Sequence, residues 1–398
     1  AMAYTPPHTP PHAPSTPTHR TITPDPANPA DWRNSLIWPA LLRAAKLSLR
    51  PARIGIALFA IVLIGLIGRL PELWLPDDVP APLETFTQHA AAGVELIATG
   101  VARFNLLAIV DGVVSITARG PAAAFAATPW SSIAILLPIA AVWTLAGLAI
   151  SRSAALEFSL DRRMPWTRTL AFGVQYLISG MGALLGPVLI LALLLAVIAV
   201  LGLPLGWGVT QVIGAILFAL SLIIGFAAAL IVVGYVAGQP LLLPGVACEG
   251  ADAFDSIQRT YAYTYGRPLR LVLYLLIVIV QMVVLAFIVY LIANLTRTIA
   301  WDAARITLSD DTAARILAGA TTDNINDQAA GQVLAFLLSV PRLIAAAVLV
   351  SFYFTASTLL YLMLRLVNDG QEPSELWTPE SVPGTTVPVD MDAAVYWE

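Results

Sequence analysis

Apolar residues in this chain fall into long runs, in contrast to the short periodic stripes of soluble helices. Each run has roughly 20 or more residues, the length needed to cross about 30 Å of hydrocarbon. Six runs predict six transmembrane helices, at residues 54–70, 132–150, 170–201, 209–243, 269–295 and 343–364. The third and fourth runs exceed one straight crossing, which predicts tilt or, at Gly186-Pro187, a proline kink. The pattern indicates an all-α integral membrane protein.

Polar segments divide the rest of the chain. Pro and Thr dominate the first segment, which cannot form a ladder or a core and should be extended. Trp and Arg then interleave with Leu, a pattern typical of an amphipathic helix on lipid headgroups. The predicted organisation is a Pro-rich cytoplasmic tail or strap (1–30), an interfacial helix (31–53), a six-span membrane domain (54–367) with outer loops (71–130 and 296–328), and an acidic cytoplasmic tail (368–398).

Basic side chains set the predicted orientation, because cytoplasmic loops of membrane proteins are enriched in Arg and Lys. Three clusters precede the first span, separate the second from the third, and separate the fourth from the fifth: Arg43, Lys46, Arg50 and Arg53; Arg152, Arg162, Arg163 and Arg168; Arg259, Arg267 and Arg270. The two longer loops balance fewer arginines with Asp and Glu. Both termini are therefore expected in the cytoplasm.

The two outer loops are long enough to fold on the membrane surface. In the first, residues 83–119 favour a helix near Glu84 to Arg103 or a hairpin turning at Asp111-Gly112, and the sequence leaves both open. In the second, Ser309 or Asp310 can cap a short helix that ends before Gly319.

Composition agrees with a membrane protein and excludes other classes. Hydrophobic residues make up 58% of the chain and charged residues 12%, whereas soluble domains carry about 25% charged residues. The net charge is −4 and the basic residues lie beside the apolar runs, so nothing indicates a nucleic-acid-binding surface. Cys248 is the only cysteine, so no intrachain disulfide can form. Lys46 is the only lysine among 21 basic residues, a bias that indicates a GC-rich bacterial genome and hence a bacterial inner membrane.

The segment between the fourth and fifth spans predicts a short helix on the cytoplasmic side. Asp252 can cap it, and Gly266 followed by Pro268 ends it. We expect an interfacial elbow helix with an apolar stripe at headgroup depth and an i,i+4 ion pair, formed by Asp252, Phe254, Asp255, Ile257, Arg259, Tyr261 and Tyr265. Residues 152–166 occupy the corresponding place before the third span, either as a diverged copy of the same unit or through ordinary loop chemistry.

The elbow carries a family resemblance in Glu249-Gly250, Ala253-Phe254, Ile257, Arg259-Thr260 and Tyr261. This string resembles the EG-x-x-AF-x-x-I-x-R-S/T-aromatic pattern that joins two spans in uncharacterised bacterial polytopic families related to the membrane domain of glycerophosphodiester phosphodiesterases. The resemblance implies a helical membrane module. It implies no catalysis, because phosphodiesterase activity in those relatives belongs to a separate soluble barrel that this chain is too short and too apolar to contain.

The six apolar runs contain few residues that could bind an ion or catalyse a reaction. None of the six runs has a central charge, whereas ion-coupled transporters place an ionisable residue or a broken helix at mid-membrane. The sequence contains no HExxH, CxxC or phosphate-loop motif, so it predicts no catalytic, cofactor-binding or metal-binding residues. Two GxxxG strings, Gly182 with Gly186 and Gly234 with Gly238, arise by chance, mark packing within the chain or mark a subunit contact.

Two functional classes follow from the sequence. The first is a non-enzymatic structural or accessory subunit of a larger membrane assembly, which fits uncharged spans, a strap-like tail and sizeable outer loops. The second is a passive conduit or a lipid-handling protein, for which kinked Gly- and Pro-containing spans would form a groove. The expected partners are membrane lipids and other membrane protein subunits, with a homo-oligomer as a further option, and no nucleic acid.

Overall fold

The computed structural model describes residues 38–76, 79–318 and 325–377, and within these ranges the chain is helical without strands. Thirteen α-helices follow one another in the described part of the chain. They are α1 (Arg43–Ser48), α2 (Pro51–Arg69), α3 (Pro82–Ala102), α4 (Leu106–Val114), α5 (Gly120–Ala127), α6 (Pro129–Leu160), α7 (Trp166–Gln175), α8 (Leu177–Gly202), α9 (Gln211–Glu249), α10 (Ala253–Gly266), α11 (Pro268–Arg305), α12 (Asp310–Ala318) and α13 (Ile325–Asp369).

Six of these helices are long and apolar enough to cross a membrane: α2, α6, α8, α9, α11 and α13. The prediction of an all-α protein with six spanning helices is therefore confirmed. Some of these helices are longer than the predicted spans: α9 has 39 residues and α13 has 45. At 1.5 Å per residue each is roughly twice as long as the hydrocarbon layer is thick, so these helices tilt or project beyond it.

Two predicted boundaries differ from the structure. Residues 170–175, assigned to the third span, belong to the separate helix α7, because the backbone breaks at Tyr176 before α8 begins. The fourth run was predicted to end at residue 243, but α9 continues through Pro240 and Pro244 to Glu249. Left-handed residues end the helices before both elbows: Asp161 after α6, with φ 52°, and Gly250 after α9, with φ 60°.

The predicted interfacial helix at residues 31–53 is not one helix. A 3-10 turn (Trp38–Leu42) leads into the short helix α1, and Arg50 and Pro51 begin the first span. Leu41 and Ala44 are fully buried against the other helices, so this segment packs into the protein. Its first residues, 31–37, and the Pro-rich tail at 1–30 lie outside the described residues.

The first outer loop is helical, and the hairpin alternative is wrong. Asn105 caps α4 by accepting a hydrogen bond from the Ala108 amide, so the predicted turn residues Asp111-Gly112 lie within a helix. Gly112 serves packing, because a Cβ there would lie 2.5 Å from the carbonyl oxygen of Gly93 on α3. In the second loop, the Ser309 hydroxyl accepts a hydrogen bond from the Thr312 amide and α12 ends at Ala318, as predicted.

The core lies where α2, α6, α9 and α13 pack against one another. Gly147 on α6 lets these helices approach closely, because a Cβ there would lie 2.5 Å from Leu243 of α9 and 2.6 Å from Phe354 of α13. The outer helices leave much of their surface uncovered: α8 packs on α9, α10 and α6, and α11 packs chiefly on α13. The chain is thus compact around four helices and open on either flank.

Gly147→Ala should therefore destabilise the protein by about 1–3 kcal/mol, since an added methyl group overpacks the core. Gly65→Ala on α2 is the matched control, because nothing lies within 4 Å of an added Cβ there and the helix gains up to about 1 kcal/mol of propensity. The thermal unfolding midpoint in mild detergent checks this. A Gly147→Ala protein that unfolds no earlier than the control would contradict the packing.

Candidate functional site

Charged side chains meet at one end of the four-helix core, among residues that sequence reasoning had placed in loops. We call this set the charged end: Arg50, Arg53, Arg152, Glu157, Glu249, Arg259 and Arg365. It joins the start of α2 to the last turns of α6, α9 and α13 and to the elbow α10. Its contacts decide how these helices are held relative to one another.

Glu157 of α6 binds two arginines from the start of α2. Arg53 donates to its Oε2 at 2.7 Å, and Arg50 donates to its Oε1 at 2.7 Å. Arg53 is 1% exposed and also donates to the carbonyl oxygens of Leu47 and Ser153. A buried guanidinium is tolerated when its N–H groups are satisfied in this way, and the pair ties α2 to α6.

Glu249, the last residue of α9, is the matching carboxylate. Arg365 of α13 donates to its Oε1 at 2.6 Å and is fully buried. Tyr361 donates to the same oxygen at 3.3 Å, and Arg259 of α10 lies 3.8 Å from Oε2. One carboxylate thereby connects α9, α10 and α13.

The chain after α13 folds back over this pair. Arg365 donates to the carbonyl oxygens of Glu372 and Glu375, and the Trp377 amide donates to the carbonyl oxygen of Cys248. A Cβ at Gly250 would lie 2.5 Å from the Trp377 ring, so this position requires glycine for space as well as for its positive φ. The predicted acidic tail thus begins as a segment packed on the bundle, and residues 378–398 lie outside the described residues.

Arg152 of α6 is buried without a carboxylate partner among the described residues. It donates to the carbonyl oxygen of Ala247 at 3.0 Å and to that of Trp377 at 2.8 Å. Its guanidinium carbon lies 5.0 Å from the centre of the Phe172 ring. Carbonyl groups at the end of α9 carry partial negative charge, and aromatic faces attract cations, so both stabilise this arginine.

The elbow helix α10 has the predicted Asp252 cap and the predicted Asp255–Arg259 ion pair. The Asp252 side chain accepts a hydrogen bond from the Asp255 amide at 2.9 Å, and Asp255 lies 3.3 Å from Arg259. Tyr263 donates to the Asp369 carboxylate at the end of α13. Burial is the main cause that raises the pKa of Tyr263 well above its ordinary value, and the nearby Asp369 carboxylate raises it further. Tyr263 therefore stays protonated and remains a donor at neutral pH.

Both GxxxG strings face α10, which folds back along the second half of α9. A Cβ at Gly234 or Gly238 of α9 would lie 2.5 Å from Tyr261 or Thr260, respectively. On α8, a Cβ at Gly182 would lie 2.7 Å from Ala253, and one at Gly186 would lie 3.0 Å from Ile257. Of the three origins considered for these strings, the structure shows packing within the chain.

The buried face of α10 differs from the stripe singled out in the sequence. Ser256, Thr260, Tyr263 and Thr264 are buried, whereas Phe254 is 74% exposed and Tyr265 is 44% exposed. Ile257 and Tyr261 are half-buried, and Tyr261 donates to the carbonyl oxygen of Ile231. The glycines of α9 allow this close approach: Thr260 packs on Gly238, Ser256 packs on Gly245, and the Tyr261 ring packs on Gly234. The placement of the Phe254 stripe at headgroup depth stays a prediction.

The sequence analysis missed Arg365 and Trp377, and it assigned Arg152 and Glu157 to a cytoplasmic loop. A usable signal was present, since Arg152, Glu157 and Arg365 all lie within a few turns of an apolar run. The described residues hold no group of three or more His, Cys, Asp and Glu side chains placed to bind a metal ion. The contacts of the charged end all hold helices together.

Comparison of this chain with protein-family models, curated proteins and solved structures found no match.

Replacing Arg365, the buried partner of Glu249, should lower the stability of the protein far more than replacing Arg259, its partly exposed partner. Arg365→Met leaves the largely buried Glu249 with the Tyr361 hydroxyl and, as counter-ion, only the more distant Arg259, and we expect a loss of about 3–5 kcal/mol. Arg259→Met is the control: this arginine is 33% exposed, and its loss should cost about 1 kcal/mol or less. Cys248 is fully buried, so its reaction with a maleimide during denaturation reports opening of this end.

The double variant Glu249→Gln/Arg365→Met should recover part of that loss, because it leaves no uncompensated carboxylate. Equal destabilisation by Arg365→Met and Arg259→Met would show that the Glu249 contacts do not hold α13 in place.

Proposed function

We propose that this multi-pass membrane protein is a non-enzymatic accessory subunit of a larger membrane assembly, in which other subunits pack against α8, α9 and α11. The observation that carries the proposal is the exposure of these spans. Only 6% of the most apolar stretch of α11 is buried within the protein, and 11% of the corresponding stretches of α8 and α9. For α6 the share is 39%.

The exposed faces of these spans are apolar, and the charged end holds the core helices behind them. On α11, Val283 and Phe287 are 63% and 70% exposed, and this helix packs chiefly on α13. The charged end fixes α9 and α13, on which α8 and α11 pack, so a partner meets a surface that is already arranged, which lowers the entropic cost of association.

Small residues favour a protein partner on α9. A Cβ at Gly225 would meet nothing within 4 Å, and Ala229, one turn further, is exposed. Lipid tails are as apolar as leucine, so helices associate in a membrane through close packing, for which small residues at i and i+4 provide the surface. The glycine strings at Gly182 and Gly234 are already occupied by α10.

We further propose the orientation and the membrane. Contacts from Arg53 to Glu157, from Arg152 to Ala247 and from Arg259 to Glu249 bring the three basic clusters to one end of the bundle. That end includes the arginines Arg50, Arg53, Arg152, Arg259 and Arg365, and the positive-inside rule counts Arg and Lys with little weight for Asp and Glu. A positive end supports a cytoplasmic location for both termini, in a bacterial inner membrane.

The contacts of the elbow also support kinship with the membrane module of glycerophosphodiester phosphodiesterases, as a proposal. In the resembling string, Glu249 binds Arg365, Gly250 makes room for Trp377, and Arg259 pairs with Asp255. Each of these residue types has a structural task, which explains why the string could recur in a module without catalysis.

Photo-crosslinking tests the subunit proposal. Replacing Phe287 of α11 or Phe226 of α9 with p-benzoylphenylalanine places a reactive group on an exposed span face, since these side chains are 70% and 68% exposed. In native membranes we expect a discrete crosslinked polypeptide from at least one position. Phe104, 97% exposed outside the spans, is the control and should give none. Lipid adducts alone from both span positions would contradict the proposal.

Cysteine labelling tests the orientation separately. In a Cys248→Ala background, single cysteines at the exposed positions Arg163 and Gln258 should be shielded from an impermeant maleimide in intact cells. Cysteines at Gln88 and Asp311, which are also exposed, should react. The reverse pattern would place the charged end outside the cell.

A further inference from the structure

A cavity of about 250 Å³ lies where α11, α12 and α13 meet. Arg342 in its lining precedes Arg365 of the charged end by 23 residues of α13, which is roughly 35 Å of helix. Ile316 of α12 and Leu334, Ala335 and Leu338 of α13 form its apolar wall. Arg297 of α11 and Arg342 of α13 complete the lining. The cavity therefore combines an apolar wall with two permanent positive charges.

The two guanidinium groups converge on one neutral oxygen. Arg297 lies 3.4 Å and Arg342 lies 3.3 Å from Oδ1 of Asn294, both long for hydrogen bonds. Among the described residues, no carboxylate lies within ion-pair distance of either arginine. One amide oxygen cannot neutralise two cations, so the site is electrostatically incomplete.

The position of Arg342 strengthens this observation. The sequence predicted the last span to begin after it, at residue 343, but α13 runs continuously from Ile325 and is apolar on both sides of Arg342. Because residues 343–364 are long enough to cross the hydrocarbon by themselves, Arg342 stands at its edge, the depth at which long basic side chains reach lipid headgroups. Sequence reasoning therefore overlooked a cation inside the sixth helix.

We propose that this cavity binds the phosphate of a phospholipid headgroup. Guanidinium forks match phosphate oxygens and bind them with charge-assisted hydrogen bonds. The volume suits a headgroup and not a whole lipid, and the acyl chains would extend from the apolar wall that Leu334 and Leu338 form beside the arginines. The site goes beyond the accessory-subunit proposal and does not depend on it.

Binding of dioctanoyl-phosphatidylglycerol to the full chain in detergent tests the site. We expect the probe to raise the unfolding midpoint of the unmodified protein, with binding weakened about tenfold or more in Arg297→Gln/Arg342→Gln. The matched control, Arg103→Gln/Arg119→Gln, removes two exposed arginines elsewhere and should bind the probe normally. Unchanged binding to Arg297→Gln/Arg342→Gln would overturn the proposal.

Two further probes identify the chemistry. Dioctanoylglycerol has the chains without the phosphate, and inorganic phosphate has the anion without the chains, so both should bind at least tenfold more weakly. Equal binding of dioctanoylglycerol would overturn the phosphate assignment, and equal binding of inorganic phosphate would overturn the lipid assignment. Should the arginine variant fail to fold, Ala335→Phe fills the cavity and keeps both arginines, and it should abolish binding; retained binding would overturn the site.

Discussion

The burial of two glutamate–arginine pairs at one end of the helices is the interaction on which the rest of this structure depends. A charge removed from water is costly unless it is paired and hydrogen-bonded. Glu157 with Arg53 and Glu249 with Arg365 meet that requirement, and each pair joins two helices that are distant in sequence. The pairs fix α2 to α6 and α9 to α13, because sliding either helix of a pair would leave a charge unpaired. Arg152 of α6 joins the two couples by donating to the carbonyl oxygen of Ala247 on α9.

The open flanks follow from this arrangement. With the helices fixed at the charged end, α8 and α11 need not pack on every side to stay in place, and their outer faces remain apolar and uncovered. The elbow α10 uses the glycines of α8 and α9 to sit between them, so close packing is concentrated near the same end. Helices fixed at the charged end, with apolar faces left uncovered on α8 and α11, are what we expect of an accessory subunit.

Local and long-range features differ in how well the sequence reveals them. The six spans follow from run length, and the Asp252 cap and the Asp255–Arg259 pair follow from spacing within one helix, so both were predictable. The Arg53–Glu157 and Arg365–Glu249 contacts join residues 104 and 116 positions apart, which no local pattern reveals. Gly112 illustrates a third case: it was weighed as a turn residue, but α3 and α4 need it for close approach.

The central claim is that this protein is a subunit of a larger membrane assembly. Native mass spectrometry tests it most directly, on protein released from its own membranes under conditions that preserve assemblies. The account predicts a complex that contains at least one different polypeptide at fixed stoichiometry, with phospholipid masses retained in addition. A preparation in which this chain occurs only by itself, as a monomer or a multiple of itself, would contradict an accessory role.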